Sequence, residues 1–382
     1  MVYVADLDSN NRKLVLAGNS NAVYTRPGYL LFVRERTLMA QPFDAGKVQT
    51  TGDAVPVAEQ VDTGIVAQYQ FSVSQNGVLA YTSGGGGGNL QLSWFDRSGK
   101  VNGTLGMPGV VYWGAISPDG KTVAVDRLDS QTRSYDVWLH DLARGTASRF
   151  TFGPRSNDFP VWSPDGSHIA FNSLRDGMAH PFQKATSGTA QDEVLSKPVG
   201  EPPGPTRVED WSRDGRYIIL GTLNPKTKAD VWVMPTFGDR KPFPYLRTEF
   251  AEQWAKLSPN GQWLAYTSDE TKRNEIYVQT FPTPAGKWQV STNGGSRSVW
   301  SRDGKELYFI GTDGKLMAVE VAGGAKFQAG LPKPLFDAHI GTVPYNWFDV
   351  GKDGRFLIPV QLEQSANAPM TVVLNWQAGL KK

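Results

Sequence analysis

The chain has 382 residues, 40% of them apolar and 11% aromatic, with 39 basic and 37 acidic side chains and a formal charge of +2. No basic tract or acidic tail stands out, so charge provides no dominant attraction to nucleic acid. The lack of cysteine excludes disulfides and thiolate metal sites, and no apolar run reaches the ~18 residues of a transmembrane helix.

Residues 1–6 lack the basic and apolar regions of a signal peptide. They read as a strand already in progress, and Arg12-Lys13-Leu14-Val15-Leu16 as the strand after it. A chain that opens in this way is expected to be a piece of a longer protein. Asp6-Leu7-Asp8-Ser9-Asn10 resembles the start of a calcium loop. That loop needs glycine and glutamate where this chain has Asn11 and Ala17, so a polar hairpin loop is expected instead.

From Arg26-Pro27-Gly28 onward one phrase recurs. It is weak in Ser74-Gln75-Asn76-Gly77 and Gly351-Lys352-Asp353-Gly354. It is clear in Ser117-Pro118-Asp119-Gly120, Ser163-Pro164-Asp165-Gly166, Ser212-Arg213-Asp214-Gly215, Ser258-Pro259-Asn260-Gly261 and Ser301-Arg302-Asp303-Gly304. Gly28 to Gly354 is 326 residues in seven steps, a mean of about 47. A repeat of ~40–50 residues built on strands and a fixed turn is the signature of a β-propeller blade. Proline presets the first corner of such a turn, Asp tolerates the next, and Gly accepts a positive φ. The repeated aspartates therefore shape backbone and do not form catalytic dyads.

Each unit follows the same order. Phe159-Pro160-Val161-Trp162 enters the turn and His168-Ile169-Ala170-Phe171 leaves it as a hairpin. Third strands read Asp136-Val137-Trp138-Leu139, Asp230-Val231-Trp232-Val233, Glu275-Ile276-Tyr277-Val278 and Lys315-Leu316-Met317-Ala318. Short fourth strands follow at Ser148-Arg149-Phe150-Thr151, Lys287-Trp288-Gln289-Val290-Ser291 and Lys333-Pro334-Leu335-Phe336, with lysine and proline guarding an outer edge. The glycines 84–88 read as a loop between strands.

The resulting expectation is an all-β propeller of four-stranded blades over one domain, 1–382. Complete repeats run over about 21–338, with partial repeats at 1–20 and 339–382. Eight blades are favoured over seven, with a closing blade composed from the two termini.

Chemistry is sparse. Gly294-Gly295-Ser296-Arg297-Ser298 lacks the last glycine of a hydrolase elbow, and kinase signatures are missing. The four histidines, His140, His168, His180 and His339, fall in different units. No catalytic residue, metal ligand or cofactor is predicted. Counting eight residues back from each turn glycine reaches Tyr69, Tyr112, Asp158, Arg207, Gln253, Ser296 and Asn346. This polar ring at the start of the innermost strands is the candidate ligand or peptide platform.

The tryptophan-preceded turn in Trp162-Ser163-Pro164-Asp165-Gly166, Trp211-Ser212-Arg213-Asp214-Gly215 and Trp300-Ser301-Arg302-Asp303-Gly304 resembles the TolB-type, WD-repeat-like propeller repeat of bacteria. A narrower resemblance rests on Pro27-Gly28-Tyr29-Leu30-Leu31-Phe32-Val33-Arg34 and Leu38-Met39-Ala40-Gln41-Pro42-Phe43-Asp44. Leu92-Ser93-Trp94-Phe95-Asp96-Arg97-Ser98-Gly99-Lys100, Ile276-Tyr277-Val278-Gln279-Thr280-Phe281-Pro282 and Thr371-Val372-Val373-Leu374-Asn375-Trp376 add to it. These stretches are similar to the C-terminal propeller of bacterial eukaryotic-like serine/threonine kinases. The resemblance implies a sensory or protein-binding propeller outside the cytoplasm, and this chain carries no kinase motif. The expected function is thus a non-catalytic module that binds a protein or small ligand on its channel face. The alternatives are a hydrolase or lyase working in the channel, and a truncated gene product with no role of its own.

Overall fold

The computed structural model describes residues 2–5, 12–16, 21–34, 36–62, 70–83, 90–129, 132, 134–153, 155–175, 177–187, 191–322, 324, 326–338, 340, 347–362 and 370–380. Described secondary structure is all β except for one 3-10 turn, Trp376–Leu380. No described helix is long and apolar enough to cross a membrane. The contacts divide the chain into two compact units, 1–89 with 361–382, and 90–360.

The larger unit is a ring of six antiparallel sheets, each led by a short inner strand. Sheets I to V take their strands in chain order, with inner strands Val111–Ile116, Asn157–Trp162, Thr206–Trp211, Glu252–Leu257 and Ser296–Trp300. The third strands are found where the acid-apolar-aromatic pattern places them, and the fourth at Thr146–Arg149, Lys287–Gln289 and Lys333–Asp337, the first of these starting two residues before the expected segment and ending at Arg149. Sheet VI is composite. Its inner strands Asp349–Val350 and Phe356–Gln361 are completed by Leu90–Phe95 and Val101–Gly109 from the other end of the unit. Asp349–Val350 lies against the inner strands of both sheet V and sheet I, which closes the ring.

Every turn glycine of the ring has the positive φ that the phrase predicts, from 69° at Gly261 to 79° at Gly120. At Ser163 the turn is sealed four ways. Gly166 N donates to Ser163 O (2.9 Å), Ser163 Oγ to Asp165 Oδ1 (2.6 Å), Ser167 N to Asp165 Oδ1 (3.0 Å), and His168 N to Ser163 Oγ (2.9 Å). The Ser163 hydroxyl and the amide and hydroxyl of Ser167 stabilise the Asp165 carboxylate and bring its pKa down to about 2.

Among the described residues the core of the ring is not one mass but six apolar clusters, one at each junction between successive sheets. Val161, Ile218 and Trp232 join II to III, and Ile219, Leu257 and Tyr266 join III to IV. Trp94, Val125 and Trp347 join VI to I. Burial of each sheet face therefore requires its neighbours.

Two expectations are corrected. The ring closes on six sheets, neither eight nor seven, because two of the eight turn phrases belong to the smaller unit. There Gly28 serves the sheet built on Ala22–Thr25, Tyr29–Arg34, Thr37–Asp44 and Val55–Ala58, and Gly77 serves a three-stranded one. The termini also do not pair with each other among the described residues. Val2–Ala5 pairs with Arg12–Leu16, and Met370–Leu374 pairs with Val78–Thr82. The glycine run 84–88 and the calcium-like segment 6–10 lie outside the described residues.

Candidate functional site

The six inner strands surround a cavity of about 600 Å³, and each contributes to its wall. That volume is in the range of ligand pockets. What aims side chains into it is a break in register. The inner strands of sheets I to V each slip against the next strand, for example between Asp158 and Val161, Gln253 and Lys256, and Ser296 and Val299. At three of these bulges a bulky residue takes a left-handed backbone: Phe159 (φ 54°), Trp254 (58°) and Arg297 (60°). Such conformations are costly for large side chains and hold only where surroundings fix them.

The fixing groups are side chains of the preceding sheet, which accept the freed amides. Asp126 takes Phe159 N (3.0 Å), Asn172 takes Val208 N (3.1 Å), and Thr267 takes Arg297 N (3.3 Å). Glu209 takes Trp254 N (3.1 Å) and Ala255 N (2.7 Å). Asp126 is fully buried, and burial with the nearby Asp158 raises its pKa well above the usual carboxylate range.

One side of the site is aromatic and cationic. Trp113 and Trp254 stack at 5.4 Å and 14°, with Phe159 5.4 Å from Trp113. The guanidinium of Arg297 sits 3.7 Å from the Trp254 ring centre and that of Arg207 3.9 Å from it. Cation–π contacts of this kind contribute about 0.5–2 kcal/mol each. Further along, Asp210 accepts Leu257 N (2.8 Å) and Asp349 accepts Ile116 N (2.8 Å), tying sheet III to IV and VI to I. Burial raises the Asp210 pKa against the opposing pull of Lys256.

The wall at the turns holds Pro118, Pro164, Arg213, Pro259, Arg302 and Lys352, the second residue of each turn phrase. Arg302 donates to Val350 O (3.0 Å) and Ile116 O (3.4 Å). Arg213 donates to Arg302 O (2.7 Å).

Of the ring read from sequence, the structure gathers Tyr112, Asp158 and Arg207 around Phe159. Tyr112 stands 5.1 Å from the Phe159 ring and Arg207 5.8 Å from it. Arg207 also pairs with Glu209 at 2.8 Å. Burial pushes the Asp158 carboxyl up to about 7, opposed by Asn172 and Arg207. Gln253 lines a separate depression with Leu223, Asn224 and Lys228, and Ser296 pairs with Ile310 at the head of its strand. Tyr69 and Asn346 lie outside the described residues.

The five described ring residues are absent from the wall of the cavity. From the next position along, Trp113, Trp254, Arg297 and Trp347 line the wall. Counting seven residues back from the ring's turn glycines gives Trp113, Phe159, Val208, Trp254, Arg297 and Trp347. That count was available in the sequence and is the signal missed.

The described histidines do not converge. His140 is buried against Gly106, His168 bonds Ser167 (2.8 Å), and His180 bonds Met178 O (3.0 Å) and lies on Phe182. His339 lies outside the described residues.

Comparison with solved structures matches the TolB structure of Agrobacterium tumefaciens with a TM-score of 0.59 and 17% identity. The match covers 72% of this chain and 99% of that one. The fold is that of a TolB-like β-propeller. Among curated proteins, the chain is 28% identical to the Tol-Pal system protein TolB of Alcanivorax borkumensis over 158 residues, 39% of this chain and 35% of the relative. It is 27% identical to an uncharacterised protein of Agrobacterium fabrum over 158 residues, 41% of this chain and 53% of the relative. It is 24% identical to an uncharacterised peptidase of Bacillus subtilis, YuxL, over 208 residues, 42% of this chain and 31% of the relative. The matches to this TolB-like chain thus span about half the length of those relatives or less. No protein-family model matches.

Proposed function

We propose that this TolB-like propeller is a non-catalytic binding module that holds a protein segment or small ligand in its channel. The observation that carries the reading is the cavity itself, with stacked indoles on one side and charged side chains along its wall. A rigid ring with varied residues on a repeated frame suits recognition. Among the described residues no histidine lines this cavity, which favours binding over the channel-enzyme alternative. The peptidase YuxL matches over less than a third of its own length. We further read the module as derived from the C-terminal region of a bacterial serine/threonine kinase and placed outside the cytoplasm. An in-frame kinase and membrane segment upstream in the DNA is the check on that origin.

The binding reading is tested by comparing molecules retained by the whole chain and by its Trp113→Ala/Trp254→Ala variant, after matching their melting temperatures. A species held by the first and lost by the second supports it. Retention unchanged by both substitutions overturns it.

A further inference from the structure

Three of the six ring turns carry proline in second position and three carry a cation: Arg213 in sheet III, Arg302 in sheet V and Lys352 in sheet VI. Across the whole cavity wall, five cations face three carboxylates. Those carboxylates are already engaged. Asp210 lies 3.7 Å from Lys256 and Asp349 lies 3.9 Å from Arg302. Asp303 takes the Ser301 hydroxyl at 2.7 Å and lies 3.7 Å from Lys305.

Arg213 is the telling residue. It reaches past sheet IV to donate to a carbonyl, Arg302 O at 2.7 Å, rather than to a carboxylate. Burial and the neighbouring Arg302 charge lower its pKa, with only partial relief from Asp210. A guanidinium partly out of water and under the influence of a second positive charge is an arrangement that an anion relieves. Guanidinium forks also match oxyanions in geometry, with two parallel donors to two oxygens.

Resting on the reading of the channel as a binding site, we propose that this mouth is an oxyanion site taking a ligand's carboxylate or phosphate between Arg213, Arg302 and Lys352. Arg213 leaves the Arg302 carbonyl to receive it. The turns of sheets I, II and IV carry proline at this place and offer no side-chain donor there, so the anionic end of the ligand lies toward Arg213, Arg302 and Lys352 on sheets III, V and VI. The rest of the ligand extends down the channel toward Trp113 and Trp254.

The test is calorimetric titration of the whole chain, at low salt, with citrate, inorganic phosphate and N-acetyl tetraglutamate amide. The expected result is saturable binding of at least one of the three. Arg213→Gln should weaken it about tenfold, and Arg213→Gln/Lys352→Gln should abolish it, with melting temperatures kept. Tighter binding of citrate or phosphate marks a free small anion, and tighter binding of the peptide marks an acidic protein segment. No saturable binding of any probe at millimolar concentration overturns the proposal, as does binding that survives both variants. If anions fail while retention still depends on Trp113 and Trp254, the channel binds a ligand that is not anionic. If both fail, the binding reading falls as well.

Discussion

The carboxylate of Glu209 occupies the space that a side chain on Gly221 would need: a Cβ there would come within 2.4 Å of Glu209 Oε1. Six residues after the turn glycine, sheets I, II and IV carry Asp126, Asn172 and Thr267, and each accepts the bulge amide of the next sheet. Sheet III carries Gly221 at that place, and Glu209 of its inner strand supplies the acceptor instead. Glu209→Ala should cost about 2–4 kcal/mol, because it leaves two buried amides unpaired. Gly221→Asp alone should cost about 2 kcal/mol or more by overpacking. The double variant should recover at least half of the summed loss in urea unfolding. Strictly additive losses would show that the two positions do not substitute for each other.

The turn phrase gives a local prediction. A Cβ on Gly166 would meet nothing closer than Pro118 Cδ at 4.0 Å, so space is not limiting. The left-handed φ of 73° is. Gly166→Ala should therefore cost about 1–2 kcal/mol, and Gly166→Asn clearly less, because Asn tolerates this region. Equal melting temperatures for wild type and the alanine variant would contradict the turn geometry.

Stability should fall as pH rises from about 4 to 7. Burial raises the Glu252 carboxyl from 4.5 to about 6 and that of Asp158 from 3.8 to about 7. A carboxyl with a raised folded pKa stabilises the fold while protonated. That contribution is complete below the unfolded value and is lost as pH climbs through the folded one. For Glu252 the difference corresponds to about 2 kcal/mol. In the matching place of sheet II, Asn157 donates to Asp136 at 3.2 Å; in sheet IV, Glu252 stands near Asp230, whose carboxyl burial also raises. Glu252→Gln should restore a donor, flatten the dependence and raise stability at pH 8 relative to pH 5. Unfolding curves that stay parallel to wild type across this range would rule out the assignment.

Much of this was legible in the sequence, and the failures have physical causes. The turn phrase identifies hairpins through φ and side-chain bonds that are local. It therefore located Gly166 and Gly215 correctly, and Gly28 and Gly77 equally well. Which sheet a hairpin joins is a non-local matter, and Phe356–Gln361 finding Leu90–Phe95 leaves no local trace. The polar ring falls one residue before the cavity-lining position for a related reason. Strand alternation predicts which side chains share a face, but a bulge breaks it, and propensity gives no hint that Phe159, Trp254 and Arg297 adopt a left-handed backbone.

Closure of the ring is tight at one point. Trp347 of the C-terminal side lies over Gly114 of sheet I, where a Cβ would come within 2.4 Å of its Cη2. Trp347 is almost wholly buried. Gly114→Ala should displace that indole and cost about 1–3 kcal/mol, read by chemical denaturation. A neutral effect would mean that the indole has room to move.

The account depends most on residues 349–361 completing the sheet begun at 90–109. The direct measurement is calorimetric melting of two fragments, 90–361 and 90–345. A cooperative transition for the first and none for the second is the predicted result. A first fragment that does not fold, or a second that melts just as cooperatively, would contradict it.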